Sequence, residues 1–162
     1  MKTLIVHRHA KAEPHATGGD FVRTLTRRGE EDAGAAGKQV ASIVSTPDLI
    51  VSSDAARALS TARMVAAATG YRAKLREDHG IYEAAVDDLL AVVRGLPSSA
   101  ESVVLVGHNP GLEGLVQTLV NGVDGYIGLG TANFATIELD VDEWADVDKG
   151  GGRVIGTYAP DR

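Results

Sequence analysis

Two places in the sequence carry the residue types that phosphate chemistry requires. Arg8 and His9 stand at the end of a first apolar run, and His108 follows a later apolar run at 103–106. A guanidinium can bind two phosphate oxygens at once, and a neutral imidazole is a nucleophile near neutral pH. These residue types predict an anion site with His9 as its candidate nucleophile.

Arg57 is a further candidate for phosphate binding. The apolar run 49–51 is followed by Ser and Asp residues that can cap a helix, which is predicted over 54–69. Arg57 then lies in the opening turns, whereas Arg63 lies roughly 9 Å further along the helix axis. Only Arg57 is therefore expected to reach a site at the end of the preceding strand.

The elements that must position these residues alternate between strands and helices. Buried strands are predicted over 4–6, 49–51 and 103–106, with helices between them. This order predicts an α/β fold with right-handed parallel crossovers, which bring the carboxyl ends of the strands to one edge of the sheet. Arg8, His9, Arg57 and His108 are then expected to share that edge.

Capping residues and hydrophobic spacing predict the remaining elements. Asn109 is expected to cap a helix with Pro110 at its first position, and the apolar stripe of this helix runs to Val120. The other predicted elements are a helix after the Thr26 cap, a short strand over 72–75, a helix from Asp87 to Gly95, and strands over 134–139 and 153–158.

Composition limits the kinds of protein this can be. The length of 162 residues suits one domain, and the net charge of −6 argues against a nucleic-acid-binding surface. There are no cysteines, which excludes disulfides and thiolate chemistry. No apolar stretch approaches a signal peptide or membrane span, so a cytoplasmic protein without membrane contact is expected.

Five segments together resemble one known family, the histidine phosphatase superfamily with its phosphoglycerate mutase-like fold. Within it, the chain is similar to the small SixA-type phosphohistidine phosphatases over nearly its whole length. The segments are Arg8-His9-Ala10-Lys11-Ala12, Arg23-Thr24-Leu25-Thr26-Arg27-Arg28-Gly29, Ser52-Ser53-Asp54-Ala55-Ala56-Arg57-Ala58, Ile81-Tyr82-Glu83-Ala84 and Gly107-His108-Asn109-Pro110-Gly111. One departure is Ala10, which replaces the glycine of the broader Arg-His-Gly motif.

The resemblance implies a single domain over 1–162, a three-layer α/β/α architecture with a central, mostly parallel sheet. It also implies a metal-independent and cofactor-independent reaction in which His9 takes the phosphoryl group and water then hydrolyses the phosphohistidine. Arg8, Arg57 and His108 would bind the phosphate, with His108 favoured as an imidazolium by the anion.

Further roles follow from the same resemblance. Glu83 would serve as general acid and base, and Arg23 and Asn109 would line the substrate pocket. The expected substrate is phosphohistidine in a protein, and a small phosphomonoester is the alternative. Phosphoryl transfer needs positioning and charge neutralisation, which two arginines and a second histidine can supply.

Two interpretations from other classes remain. His7 and His9 are spaced like a metal-ligand pair on a strand, but Arg8 and Arg57 beside them would repel a cation. His7 is instead expected as a buried histidine with a hydrogen-bond partner. A non-catalytic phosphate-binding module is the second alternative, and it would need neither the nucleophile His9 nor the proton donor Glu83.

Overall fold

A mixed sheet of six strands lies at the centre of the computed structural model, which describes residues 1–121 and 125–161. The strands are β1 (Lys2–Arg8), β2 (Leu49–Ser52), β3 (Arg76–Glu77), β4 (Ser102–Gly107), β5 (Phe134–Leu139) and β6 (Gly152–Tyr158). Their order in the sheet is β3-β2-β4-β1-β5-β6. Strands β1 to β4 are parallel to one another, β5 is antiparallel to β1, and β6 is antiparallel to β5.

Helices cover both faces of the sheet. The helices are α1 (Arg27–Val44), α2 (Ala56–Thr69), α3 (Val86–Arg94) and α4 (Gly111–Val120). Neighbouring residues of β1 point to opposite faces: Ile5 packs with α1 and α2, and Leu4 and Val6 pack with α3 and α4. The predicted three-layer α/β/α architecture with a mostly parallel sheet is thus confirmed.

None of the helices among the described residues is both long and apolar enough to cross a membrane.

Local sequence signals explain where α1 and α2 begin, end and meet. The Thr26 side chain accepts a hydrogen bond from the backbone N–H of Gly29 and so caps α1, as predicted. Gly70, at φ 72°, ends α2 in the left-handed conformation that glycine adopts without strain. A Cβ at Gly37 would lie 2.8 Å from that of Ala68, so glycine permits the close packing of α1 on α2.

Three predicted boundaries are wrong. The short strand is β3 at Arg76–Glu77 and not 72–75, because Tyr71 is buried and its hydroxyl donates to the carbonyl of Lys74 across a bend at Ala73. Helix α2 begins at Ala56 and not at residue 54. Helix α4 begins at Gly111, so Pro110 precedes the helix although it was expected as its first residue.

The carboxyl ends of three adjacent parallel strands meet at one edge of the sheet. The backbone N–H of His9 donates to the carbonyl of Gly107 on β4, and that of Ser53 donates to Val106 on the same strand. The sheet therefore brings the residues that follow β1, β2 and β4 together, as the alternation of elements predicts.

Candidate active site

His9 lies directly after β1 and is 7% exposed. Its Nδ1 is 2.7 Å from the carbonyl oxygen of Ala10, which can only accept, so Nδ1 carries the proton and Nε2 keeps its lone pair. The turn is fixed because the Ala10 N–H donates to Thr61 Oγ1. Burial, and the charges of His108 and Arg57, lower the pKa of His9 to about 3. His9 is thus a neutral imidazole at pH 7, with Nε2 available as a nucleophile.

Arg57 lies in the first turn of α2 and faces His9. Its Nε is 3.4 Å from His9 Nε2. The two other guanidinium nitrogens bind Asp20, Nη1 through the backbone carbonyl at 2.9 Å and Nη2 through the carboxylate at 3.1 Å. Asp20 therefore holds the guanidinium at two points and leaves its Nε directed toward the nucleophilic nitrogen.

Asp20 belongs to the segment between β1 and α1, in a short 3-10 turn over Asp20–Val22. Its Oδ2 also accepts a hydrogen bond from the Tyr82 hydroxyl at 2.6 Å, and its Oδ1 accepts from Arg23 Nε at 2.9 Å. These bonds from Tyr82, Arg23 and Arg57 hold the pKa of Asp20 well below its usual range. The side chain is 49% exposed, so an ionised carboxylate stands at the mouth of the site.

His108 follows β4, with its ring centroid 5.1 Å from that of His9 and 5.5 Å from that of Tyr82. Its Nε2 is 2.8 Å from Ser53 Oγ. Burial, followed by the charge of Arg57, lowers the pKa of His108 to about 4. The protein's own groups therefore favour a neutral imidazole at pH 7, and the imidazolium expected with a bound anion stays a prediction.

Arg8 enters the site from the end of β1. Its Nη1 donates to the Leu129 carbonyl at 3.0 Å, whereas its buried Nε has no hydrogen-bond partner in residues 1–121 or 125–161. The negative charge of Glu113 stabilises the Arg8 guanidinium, and the Glu113 carboxylate accepts a hydrogen bond from the Leu129 N–H. Arg8 is thus anchored at one nitrogen and keeps a donor free for an anion.

The two residues predicted to line the substrate pocket are both bound to the walls of the site. Arg23 donates to Asp20 and, at 2.6 Å, to the carbonyl of Glu13. The Asn109 amide donates to the Leu129 carbonyl at 2.7 Å, and its Oδ1 accepts the N–H of Glu113 at 3.3 Å. Both residues support neighbours of the phosphate-binding candidates.

Glu83 lies at the rim, beside the site. Its carboxylate is exposed and makes no hydrogen bond with any other described residue, although its charge acts on the Tyr82 phenol next to it. The backbone of Glu83 has φ 55°, a conformation that is uncommon outside glycine and that concentrates at functional sites.

His7 is fully buried, as expected, and its Nδ1 is hydrogen-bonded to the Arg8 carbonyl at 2.8 Å. Its ring packs against that of Phe134, and burial lowers its pKa to about 4. No group of three histidine, aspartate or glutamate side chains suited to a metal ion occurs among the described residues.

Sequence reasoning missed three residues of this site. Asp20 had a usable signal, since it precedes Arg23 by three residues and can pair with it. Tyr82 lies within a segment that pointed to the family, but nothing in its type assigns it a role. Ser53 lies in another of these segments and is a candidate helix cap, but its type assigns it no contact with His108.

Comparison with known proteins agrees with this site. Residues 4–91 match the family model of the histidine phosphatase superfamily (branch 1). A Nakamurella multipartitia protein described as a phosphohistidine phosphatase, SixA, is 30% identical, with a TM-score of 0.83 over 98% of this chain and 96% of that one. An Agrobacterium tumefaciens protein with the same description is 27% identical, with a TM-score of 0.79 over 98% and 99% of the two chains.

An uncharacterised protein of Mycobacterium tuberculosis is also similar, at 27% identity over 161 residues, which cover 94% of this chain and 99% of its relative. The family model spans more than half of the chain and includes Arg8, His9 and Arg57. The sheet brings these three residues together with His108 from outside the matched range. The chain belongs to the histidine phosphatase superfamily and is a phosphatase of its SixA-like group.

Proposed function

We propose that the protein hydrolyses phosphohistidine in a protein substrate, through a covalent phosphohistidine on His9 and without a metal ion. The observation that carries this proposal is the contact between His9 and Arg57 at the carboxyl ends of the parallel strands. His9 presents an unprotonated Nε2, and Arg57 Nε stands 3.4 Å from it, where it can bind an oxygen of the phosphoryl group under attack.

In the first step, the lone pair of His9 Nε2 forms a bond to phosphorus. The bond between phosphorus and the substrate imidazole breaks, and its electron pair stays on the substrate nitrogen. The substrate ring carries a proton on its other nitrogen, so it leaves as neutral imidazole. Arg57 and the free Nε of Arg8 bind the equatorial oxygens, where the negative charge is spread. The Nδ1–H of His9 continues to donate to the Ala10 carbonyl and stabilises the phosphorylated ring.

In the second step, water attacks the phosphoryl group on His9, and the electron pair of the broken bond returns to Nε2. A base must take the proton of this water. We assign that task to Glu83, which also protonates poor leaving groups in the first step. Its position next to Tyr82, at the mouth of the site, and its left-handed backbone support the assignment.

A protein substrate is favoured because the mouth of the site is exposed at Asp20. The half-exposed carboxylate of Asp20 stands beside Arg57, whereas sites for small molecules enclose most of their ligand. A phosphohistidine on the surface of another protein can reach such an open edge. The relatives from Nakamurella multipartitia and Agrobacterium tumefaciens are described as phosphohistidine phosphatases, which supports the same substrate class.

A substrate panel tests this proposal. We expect kcat/KM to be higher for a phosphohistidine protein than for free phosphohistidine, and lowest for sugar and nucleotide phosphates, all measured at matched concentration. A highest kcat/KM for one small phosphomonoester would instead establish the alternative, a small-molecule phosphatase. Binding of phosphorylated protein without release of phosphate would establish a phosphate-binding module.

Activity is expected to persist in excess chelator. The phosphate is bound by arginine and histidine side chains, so no proposed step needs a metal ion. Phosphate release should be compared before and after prolonged dialysis against chelator. Loss of activity that added zinc restores would favour a metal site at His7 and His9.

Asp20→Asn is expected to lower kcat about 10- to 100-fold, because Arg57 loses the charged anchor that directs its Nε toward His9. Removing a negative charge from the mouth should at the same time strengthen inhibition by inorganic phosphate. Steady-state kinetics with phosphate as inhibitor measure both changes. Asp54→Asn is the matched control, since this carboxylate binds His79 and makes no hydrogen bond or ion pair with Arg57, so kcat should stay unchanged.

If Asp20 only stabilised the loop, Asp20→Asn would weaken phosphate inhibition together with kcat. A kcat equal to that of the wild type would show that Arg57 keeps its orientation without the carboxylate. Arg57→Ala gives the scale, since the loss of one preorganised donor costs about 10²–10³-fold.

A further inference from the structure

Ser53, directly after β2, is fully buried and touches the second histidine of the site. Its Oγ is 2.8 Å from His108 Nε2. The opposite ring nitrogen of His108, Nδ1, is also buried and has no hydrogen-bond partner in the described part of the chain. Whether His108 carries its proton on Nδ1 or on Nε2 therefore depends on what Ser53 does with its hydroxyl hydrogen.

The hydrogen bonds of Ser53 decide that question. Its Oγ accepts the backbone N–H of Ala55 at 3.2 Å, and an N–H cannot accept in return. His108 Nε2 is the acceptor that remains for the one hydroxyl hydrogen. With a proton on Nε2, Ser53 Oγ would have to accept from both N–H groups, and its own buried hydroxyl hydrogen would be left unpaired, which is unfavourable. The Ser53 hydroxyl thus donates to Nε2, and the proton of His108 is on Nδ1.

We propose that Ser53 is a positioning residue, which holds neutral His108 in the Nδ1–H form so that His108 donates a hydrogen bond to the phosphoryl group without being protonated. The proposal rests on the proposed phosphoryl transfer only for the identity of the acceptor. It replaces the imidazolium that the family resemblance implies with an uncharged donor.

The surroundings of His108 support an uncharged donor. Six groups face it from the neighbouring elements: Arg8 at the end of β1, His9 directly after it, Asp20 and Arg23 before α1, Arg57 on α2, and Tyr82 before α3. The guanidinium groups outnumber the one carboxylate, so a further positive charge is disfavoured. A neutral His108 also keeps its donor at every pH at which His9 is unprotonated and nucleophilic.

Nitrogen-15 NMR of the imidazole rings tests the proposal directly, with His108→Asn to assign the signals. At pH 7 the wild-type protein should show His108 protonated at Nδ1 and unprotonated at Nε2. In Ser53→Ala, a fraction of His108 should move its proton to Nε2, while His9 stays protonated at Nδ1 through Ala10. Protonation of both nitrogens, or of Nε2 alone, in the wild-type protein would overturn the proposal.

Kinetics give a second test. Ser53→Ala should lower kcat about 10- to 100-fold, the usual effect of losing a group that orients an imidazole, and Ser53→Thr should restore most of it. Ser52→Ala is the matched control: Ser52 is equally buried, but its hydroxyl donates to the Ser53 carbonyl, so kcat and the His108 signals should not change. Equal losses in Ser52→Ala and Ser53→Ala would reveal a structural role and contradict the proposal.

The NMR result separates this inference from the proposed function. A wild-type protein without phosphohistidine phosphatase activity but with His108 protonated at Nδ1 would contradict the proposed substrate and support the role of Ser53. An active wild-type protein with a doubly protonated His108 at pH 7 would support the proposed substrate and contradict the role of Ser53.

Discussion

His9→Ala is expected to abolish turnover, with a loss of at least about 10⁴-fold, and to leave the fold intact. His9 Nε2 is the nitrogen that must bond to phosphorus, because His7 is fully buried and the unprotonated nitrogen of His108, Nε2, accepts the Ser53 hydroxyl. Phosphate release and circular dichroism on the same preparation check both parts of this expectation.

The wild-type enzyme, quenched during turnover, should carry an acid-labile, base-stable phosphate on His9. Peptide mapping under alkaline conditions locates the label. His7→Leu is the matched control, because His7 is buried on β1, two residues before His9, and lies against Phe134. The label should remain on His9 in that variant. Recovery of the label on Ser52 or Ser53, or normal turnover by His9→Ala, would contradict the assignment of the nucleophile.

The position of His9 could be predicted because local signals and sheet topology agree. The run from Leu4 to Val6 is apolar and buried, and in a parallel sheet the residues after such runs meet at one edge. The same reasoning placed Arg57 and His108 correctly beside His9. These positions depend on periodicity and capping, which the sequence displays directly.

The contacts that refine the site could not be predicted in this way. Asp20 meets Arg57 because a segment without periodicity folds back over α2, and only tertiary packing determines where it lies. The sequence predicts Ser53 as a helix cap, but the helix begins at Ala56, and the Ser53 hydroxyl instead binds His108. Each of these residues acts through a partner that is distant in sequence.

Glu83→Gln is expected to slow the hydrolysis of alkyl phosphates about 10²–10⁴-fold, the usual range for the loss of a general acid. An alkyl phosphate expels an alkoxide, which is strongly basic and needs a proton as it leaves. The imidazole that leaves from phosphohistidine is far less basic, with an ordinary pKa of about 6.5. Its dependence on Glu83 in the first step should therefore be small.

Single-turnover phosphoenzyme formation separates the leaving group from the later hydrolysis. The measurement should compare an alkyl phosphate, an aryl phosphate with a good leaving group, and phosphohistidine. The rate loss in Glu83→Gln should decrease in that order. Asp87→Asn removes another exposed carboxylate four residues away and should leave all three rates unchanged.

Glu83→Gly distinguishes the carboxylate from the backbone that carries it. The backbone of Glu83, at φ 55°, is a conformation that glycine adopts without strain, so this variant should keep the course of the chain next to Tyr82. If the carboxylate is the general acid, Glu83→Gly should slow alkyl phosphate hydrolysis as much as Glu83→Gln does. If Glu83→Gly retains the wild-type rates, or if Glu83→Gln slows all three substrates equally, Glu83 orders its loop and the proton comes from elsewhere.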